Sequence, residues 1–486
     1  MNLLRQFSKD TLLYGLGKGV KKFIGLLLLP LYTRALSPAE FGIVDSLGAL
    51  LFFISVFFTL GLDSSTSYFY FKEQNENARG QILYTAFALR LLAIIPATAL
   101  SFFAHPISKL MFGTEQYAGA VLITFLLIPA NIIMSEQELV YRFNRKAWNY
   151  NLITISKSLC NIVGGIFLVV HLKWSVLGAQ LASLISTIAI VLFSFISYTR
   201  FRYTYKFNGG IAKKLVRYGF PLIWASLGVW VYSVSDRFFL IHYKSLDDIG
   251  FYSIGSTFSQ PIGLINMAVQ MSFGVLFYEV YHAESGELKT RSKQLMKQIL
   301  YLYISVATVL ALALCIFSYE ILEVVATTRY INGIVVIPIL TCSLIFAQII
   351  EIVPAGISLS EKTWHFTWII FVAAIVNAGL NFIFVPALGY MGAAITTLIA
   401  NLVYFILVDK ISARYFDADF SRLKIFTFMA IFLVFSLTFP LSEIYWNYTF
   451  HPAFKLLLLL IFIPLPFIFG FINKSAVHVF LSKLKG

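Results

Sequence analysis

Charge is what this sequence is short of. Only 12% of its 486 residues are Asp, Glu, Lys or Arg, against roughly 25% in an ordinary soluble domain. Hydrophobic residues make up 59%, a share that soluble domains of about 100–200 residues cannot bury. Cysteine is almost absent: Cys160, Cys315 and Cys342 lie in apolar stretches at unrelated spacings. That excludes a disulfide framework or a CxxC motif, and reads all three as small apolar residues. The 7 histidines show no HxxxH or HExxH spacing, so no metal site is expected. There is no GxxxxGK[ST] loop for nucleotide hydrolysis, and no cofactor is called for. No small-residue cleavage site follows the first apolar run, so no removable signal peptide is expected.

What the sequence has instead is long apolar runs. A bilayer-spanning helix needs about 20 such residues. Stretches of that length fall at 12–32, 43–62, 81–104, 118–140, 150–171, 174–197, 219–242, 250–273, 298–320, 334–359, 366–386, 390–409, 425–443 and 454–472. The expected fold class is an all-α integral membrane protein of about 14 transmembrane helices. The net charge of +14 would suggest nucleic acid in a soluble protein; here it is a topology signal, and no nucleic-acid partner is expected. With the N-terminus inside, 25 of the 37 Lys and Arg fall in cytoplasmic segments and 6 in outer loops. That bias predicts both termini in the cytoplasm.

The chain also repeats itself. Tyr14-Gly15 recurs as Tyr218-Gly219, and the segment from Leu36 to Gly42 recurs loosely from Lys244 to Gly250. Lys146-Ala147-Trp148 recurs as Lys362-Thr363-Trp364, and Gly178-Ala179 as Gly392-Ala393. These pairs keep their order and nearly their offset, which predicts two six-helix repeats. The expected organisation is a lobe at 1–205, a second at 206–412, and two additional helices with a tail at 413–486. Six spans per repeat is even, so the lobes should be related by an axis along the membrane normal, with substrate handled between them in a central cavity.

The intramembrane charges are the candidate functional residues. Lys18, Lys21 and Lys22 sit in the first span on one helical face, where each central lysine costs roughly 2.5–3.5 kcal/mol and each leucine returns only about 0.3–0.6. Either they snorkel to the inner headgroups, or the true span starts later, near Phe23, or they line a water-filled cleft. Arg34 and Arg237 stand at nearly equivalent places in the two repeats. Arg237 has either a substrate role or a neutralising ion pair, with Asp236 or across helices. Arg90 and Lys157 are isolated cations of the third and fifth spans, and either could pair with Asp63 or Glu138. Among carboxylates in or near spans (Asp45, Asp63, Glu136, Glu138, Asp236, Glu279 and Glu351), Asp63 and Asp236 are the candidates for ion coupling. An enzyme is not expected, because the predicted outer loops are too short to house a site. Asp417-Ala418-Asp419 matches a common DxD triplet, but in a cytoplasmic loop.

Two segments carry a resemblance. Gly15-Leu16-Gly17-Lys18, with the run from Leu29 through Arg34 to Gly42, resembles the opening of polysaccharide (O-antigen type) flippases of the multidrug/oligosaccharidyl-lipid/polysaccharide exporter superfamily. The run from Ser235 to Leu240, followed by Ile249 to Ser253, resembles the junction of their seventh and eighth spans. The resemblance implies two six-helix lobes around a central cavity and alternating access. It implies as partner a lipid-linked anionic oligosaccharide, an undecaprenyl-diphosphate-linked repeat unit flipped from the inner to the outer leaflet of a bacterial cytoplasmic membrane. Membrane lipids and other polysaccharide-assembly proteins are further expected partners, and the expected state is a monomer. Lys18, Lys21, Lys22, Arg34, Arg90, Lys157 and Arg237 would then meet the diphosphate. The alternatives are a cation-coupled small-molecule exporter of the same fold, a peptidoglycan-precursor flippase, and a membrane glycan polymerase.

Overall fold

The computed structural model describes residues 17, 19–21, 23–25, 27–198, 204, 206–283, 289–362, 364–446 and 448–472. Among these residues there is no strand. The chain divides into two compact units, Met1–Gly250 and Phe251–Gly486.

The first unit contains α1 (the described residues of 17–35), α2 (Pro38–Thr59), α3 (Leu62–Lys72), α4 (Glu76–Ala99), α5 (Ala104–Phe112), α6 (Ala118–Phe143), α7 (Ala147–Gly165), α8 (Ser175–Tyr198), α9 (Gly209–Val234) and α10 (Asp236–Tyr243). It ends within α11 (Leu246–Ser259). Ser37 starts α2 with a reciprocal cap: its hydroxyl accepts from the Glu40 N–H at 3.3 Å, and the Glu40 carboxylate accepts from the Ser37 N–H at 2.8 Å. Pro38 fills the first helical position, where a missing N–H costs nothing. The helix stops at Leu60 and Gly61, both left-handed at φ 50° and 62°. A side chain on Gly61 would also run into the Gly219 backbone.

Contacts of this kind fix helix directions. Leu60 meets Gly219, the Ala49 carbonyl accepts from the Trp230 indole at 3.0 Å, and Gly42 faces Gly250 with no room for a Cβ. Contacts thus advance along α2 as they retreat along α9, so the two are antiparallel. Gly17 packs on Asn151 and Tyr32 on Gly165, so α1 and α7 are parallel. In lipid the hydrophobic effect does not drive helices together, and such small-residue contacts replace it. Both directions agree with the expected alternation of spans.

The second unit contains the rest of α11, α12 (Ile262–Ala283), α13 (Thr290–Ile316), α14 (Ser318–Val325), α15 (Val336–Ile352), α16 (Ala355–Leu359), α17 (Trp364–Leu388), α18 (Tyr390–Ser412), α19 (Arg422–Tyr445), α20 (Pro452–Phe462) and α21 (Leu465–Ile468). Its α17–α18 hairpin matches the α7–α8 hairpin of the first unit. Trp148 and Trp364 are both exposed in the first turn of the leading helix. Gly178 and Gly392 both lie in the first turn of the returning helix, against the carbonyls of Leu168 and Phe384. Two of the repeated motifs therefore occupy like places. The C-terminal helices are pinned by Lys455, fully buried between Glu320 at 2.8 Å and Glu443 at 2.7 Å. Asp417 and Asp409 both pair with Arg422, which gives the DxD triplet a structural use.

Among the described residues ten helical segments are long and apolar enough to cross a membrane: Pro38–Thr59, Glu76–Phe112, Ala118–Phe143, Ala147–His171, Ser175–Phe195, Thr290–Ile316, Thr328–Leu359, Trp364–Leu388, Tyr390–Ser412 and Arg422–Tyr445. Large apolar side chains such as Leu110, Ile375 and Val434 stand exposed at 83%, 69% and 66%, as suits a lipid-facing surface. The expected count of fourteen is not reached on this measure. The expected first span lies partly outside the described residues, the seventh is broken at Ser235 between α9 and α10, the eighth at Gln260–Pro261 between α11 and α12, and the last is the short pair α20 and α21.

Candidate functional site

The polar interior of the first unit is organised around two carboxylates of α6. Successive helical residues turn by about 100°, so Glu136 and Glu138 point to nearly opposite sides. Glu136 turns to α4, where Arg90 is buried with 2% of its side chain exposed. One Arg90 amino group bonds Glu136, and the other bonds the Asp63 carboxylate at 2.7 Å. A guanidinium so placed is several kcal/mol unfavourable without partners, and it is bracketed by two. The left-handed break at Leu60 and Gly61 starts α3 here and sets Asp63 in its first turn. Asp63 remains half-exposed, whereas Glu136 is buried.

Glu138 turns the other way, toward α7 and α1. Lys21, Lys157 and Arg142 all lie near enough to act on it electrostatically, and Lys21 also acts on Lys157. Lys157 donates to the Asn131 side-chain oxygen at 3.0 Å; Asn131 is two turns before Glu138 on the same face of α6. Lys21 and Arg142 are exposed, and Glu138 and Lys157 are half-buried. The Asp63 carboxylate also acts on Glu138 but is paired with Arg90, so three cations face Glu138 and leave the patch positive, with two side chains open. Such a patch can take a multivalent anion, the lysines serving as mobile point-charge donors and Arg142 as a fork.

The residues singled out from sequence separate into groups. Lys21 and Lys157 come together through Glu138. Arg90 takes Asp63, as one of the two expected partners, and adds Glu136. Arg237 pairs across helices with Asp45 at 2.9 Å and reaches the Ser233 carbonyl at 3.5 Å, and Asp236 beside it is fully buried. Arg34 is exposed in a pocket near Lys173 and Glu40. Lys18 and Lys22 lie outside the described residues. Lys21 is helical. Sequence reasoning missed Asn131, Arg142 and Asp45 as partners. The spacing of Asn131 and Glu138 on one helical face is the signal that could have found the first. Among the described residues no group of three metal-ligating side chains is found.

The second unit carries a neutral polar cluster. Tyr303 donates to the Asn266 side-chain oxygen at 2.8 Å, and Asn266 donates to the Leu344 carbonyl at 3.1 Å.

Comparison with known proteins follows the same lines. A family model described as polysaccharide biosynthesis protein matches residues 7–277. A Haemophilus influenzae protein of the Lsg locus is 25% identical over 280 residues, covering 56% of this chain and 66% of its own length, just under two thirds. An uncharacterized membrane protein of Haemophilus influenzae is 23% identical over 288 residues, covering 58% of this chain and 67% of its own length. The lipid II flippase MurJ, in an inward closed conformation, superposes with a TM-score of 0.72 at 17% identity, over 98% of this chain and 100% of MurJ. An inward-facing multidrug resistance MATE family transporter of the MOP superfamily gives 0.62 at 18% identity, over 83% and 94%. The fold is therefore that of these multi-pass membrane transporters. With more than half of its length matched by the family model, the chain belongs to the polysaccharide biosynthesis protein family.

Proposed function

We propose that this protein is a flippase that carries an undecaprenyl-diphosphate-linked oligosaccharide from the inner to the outer leaflet of a bacterial cytoplasmic membrane by alternating access, and is not an enzyme. The observation that carries this reading is the positive patch of Lys21, Lys157 and Arg142 around Glu138 within an apolar unit. A purely structural network would pair every buried cation with fixed carboxylates, as Asp63 and Glu136 do for Arg90. A diphosphate headgroup supplies the missing negative charge only while bound, which suits a carrier that must release it. In this reading Lys18, Lys21, Lys22 and Lys157 meet the diphosphate, and Arg90 and Arg237, each held by carboxylate partners, support the cavity. The lobes are 1–205 and 206–412, followed by two helices in 413–486. The protein works as a monomer with both termini cytoplasmic, among lipids and other polysaccharide-assembly proteins.

The test is to exchange Lys21 and Lys157 singly for alanine and measure surface glycan alongside the amount of protein in the membrane. Loss of export at unchanged abundance is expected. Full export by both variants would reject the reading.

A second reading, a cation-coupled exporter of small molecules, draws on Asp63, which is half-exposed while its partner Arg90 is buried. It expects Asp63→Asn to abolish transport and Lys21→Ala to leave it intact, the reverse weighting of the first.

A further inference from the structure

We propose that the first unit holds a second binding site, for the phosphate group of a membrane lipid, at the end where its outer loops are expected. The site is a cavity of about 580 Å³ whose lining combines the apolar Pro30, Leu31, Val169 and Val170 with the polar Arg34, Glu40, Lys173 and Ser175. That volume is within the roughly 300–1,000 Å³ of ordinary small-molecule sites.

Three observations point to a built site. Arg34 and Lys173 come from different elements, the last turn of α1 and the connector to α8, and both are exposed beside the cavity. The single carboxylate among the lining residues is committed elsewhere: one Glu40 oxygen accepts from the Ser37 N–H at 2.8 Å, the other from the Ser175 hydroxyl at 2.5 Å. The lining thus carries two cations and one acid. The backbone around it is also unusual. Lys173 and Ser175 have φ of 56° and 46°, a left-handed region that non-glycine residues adopt at a cost. Just before them the helix widens into a π-helical turn, Ile166–His171, a feature found often at functional sites. The Ser175–Glu40 bond and a 2.9 Å bond from the Trp174 N–H to the Leu168 carbonyl hold this strained connector in place. This connector brings Lys173 to the same cavity as Arg34.

The arrangement is amphipathic in the way a lipid is. The apolar wall fits the first methylenes of a lipid tail, and the cations fit a phosphate at headgroup level. The phosphate could belong to a resident anionic phospholipid or to an isoprenoid diphosphate, and the chemistry is shared. The site stands apart from the Lys21–Glu138–Lys157 patch, so its test does not depend on transport.

The experiment is native mass spectrometry of the full chain in detergent. The protein is offered phosphatidylglycerol, phosphatidylcholine, undecaprenyl diphosphate or inorganic diphosphate. The wild type, the double variant Arg34→Gln/Lys173→Gln and the single variant Lys173→Gln are compared, with Lys109→Gln as a cation exchange away from the cavity. Equal thermal unfolding of the variants is the check on folding, and Lys173→Gln serves if the double variant does not fold. At least a tenfold loss of retained anionic lipid in the double variant is expected, a smaller loss in Lys173→Gln, and none in Lys109→Gln. Retention of phosphatidylglycerol would identify a resident phospholipid, and retention of undecaprenyl diphosphate alone a carrier lipid; both sustain the proposal. Retention unchanged by the substitutions, equal retention of phosphatidylcholine, or binding of inorganic diphosphate with no lipid retained would overturn it.

Discussion

Arg90 has 2% of its side chain exposed and bonds two carboxylates, Asp63 and Glu136. Removing one member of a buried ion network leaves an uncompensated charge and costs about 3–5 kcal/mol, whereas replacing the set by apolar or neutral groups of similar size is far milder. Arg90→Ala should therefore lower the thermal unfolding midpoint in detergent sharply. Arg90→Met combined with Glu136→Gln should recover much of the loss, because neither buried position then carries charge. Asp63→Asn should cost less than either single change at the buried positions, since water already reaches Asp63. An Arg90→Ala protein that unfolds like the wild type would show that the network is not what holds α4 to α6. How much of this was legible follows from the same residues. Cost alone marked Arg90 and Lys157 as needing partners, and Asp63 was one of the two named. Glu138, the other, faces Lys157; that Glu136 serves Arg90, and which cation takes which carboxylate, was not legible. Two residues of separation reverse the face of a helix, and hydropathy says nothing about how a helix is turned.

At the scale of elements, hydropathy located α6 within three residues, expected at 118–140 and found at Ala118–Phe143. It missed α3, because Asp63, Ser64, Ser65, Thr66 and Ser67 carry no apolar signal. It also missed the breaks at Ser235 and Gln260–Pro261, because a window that averages hydrophobicity reports solvent preference and not backbone path. The joint between α2 and α3 is where that path matters most. Gly61 combines φ 62° with contact against the Gly219 backbone, whereas Gly113, at φ 70°, has nothing within 4 Å of where a Cβ would stand. Both substitutions to alanine pay the left-handed penalty, roughly 1–2 kcal/mol, but only Gly61→Ala must also push two helices apart. Gly61→Ala should therefore reduce the folded yield markedly and Gly113→Ala only slightly, as read by monodisperse protein recovered per cell. Equal recovery would mean that α3 and α9 can separate freely at this joint.

For the whole molecule, helix directions within the first unit restrict the topology, and charge then orients it. The parallel pair α1 and α7 and the antiparallel pair α2 and α9 satisfy a chain that crosses the membrane alternately. Contacts alone leave two mirror choices, N-terminus inside or outside. Inverting the chain would carry 25 of its 37 basic residues to the outer face, against the rule that short cytoplasmic loops keep Lys and Arg. The segment that includes Lys206 should thus be cytoplasmic, and the one that includes Gln116 should face outward. Cys160 is exposed whereas Cys315 and Cys342 are buried, so Cys160→Ser gives a quiet background for thiol labelling. In it, Gln116→Cys should react with a membrane-impermeant maleimide on intact spheroplasts. Lys206→Cys should react only after the membrane is opened. Labelling of Lys206→Cys from outside would reverse the orientation and, with it, the direction in which the Lys21–Glu138–Lys157 patch meets its lipid.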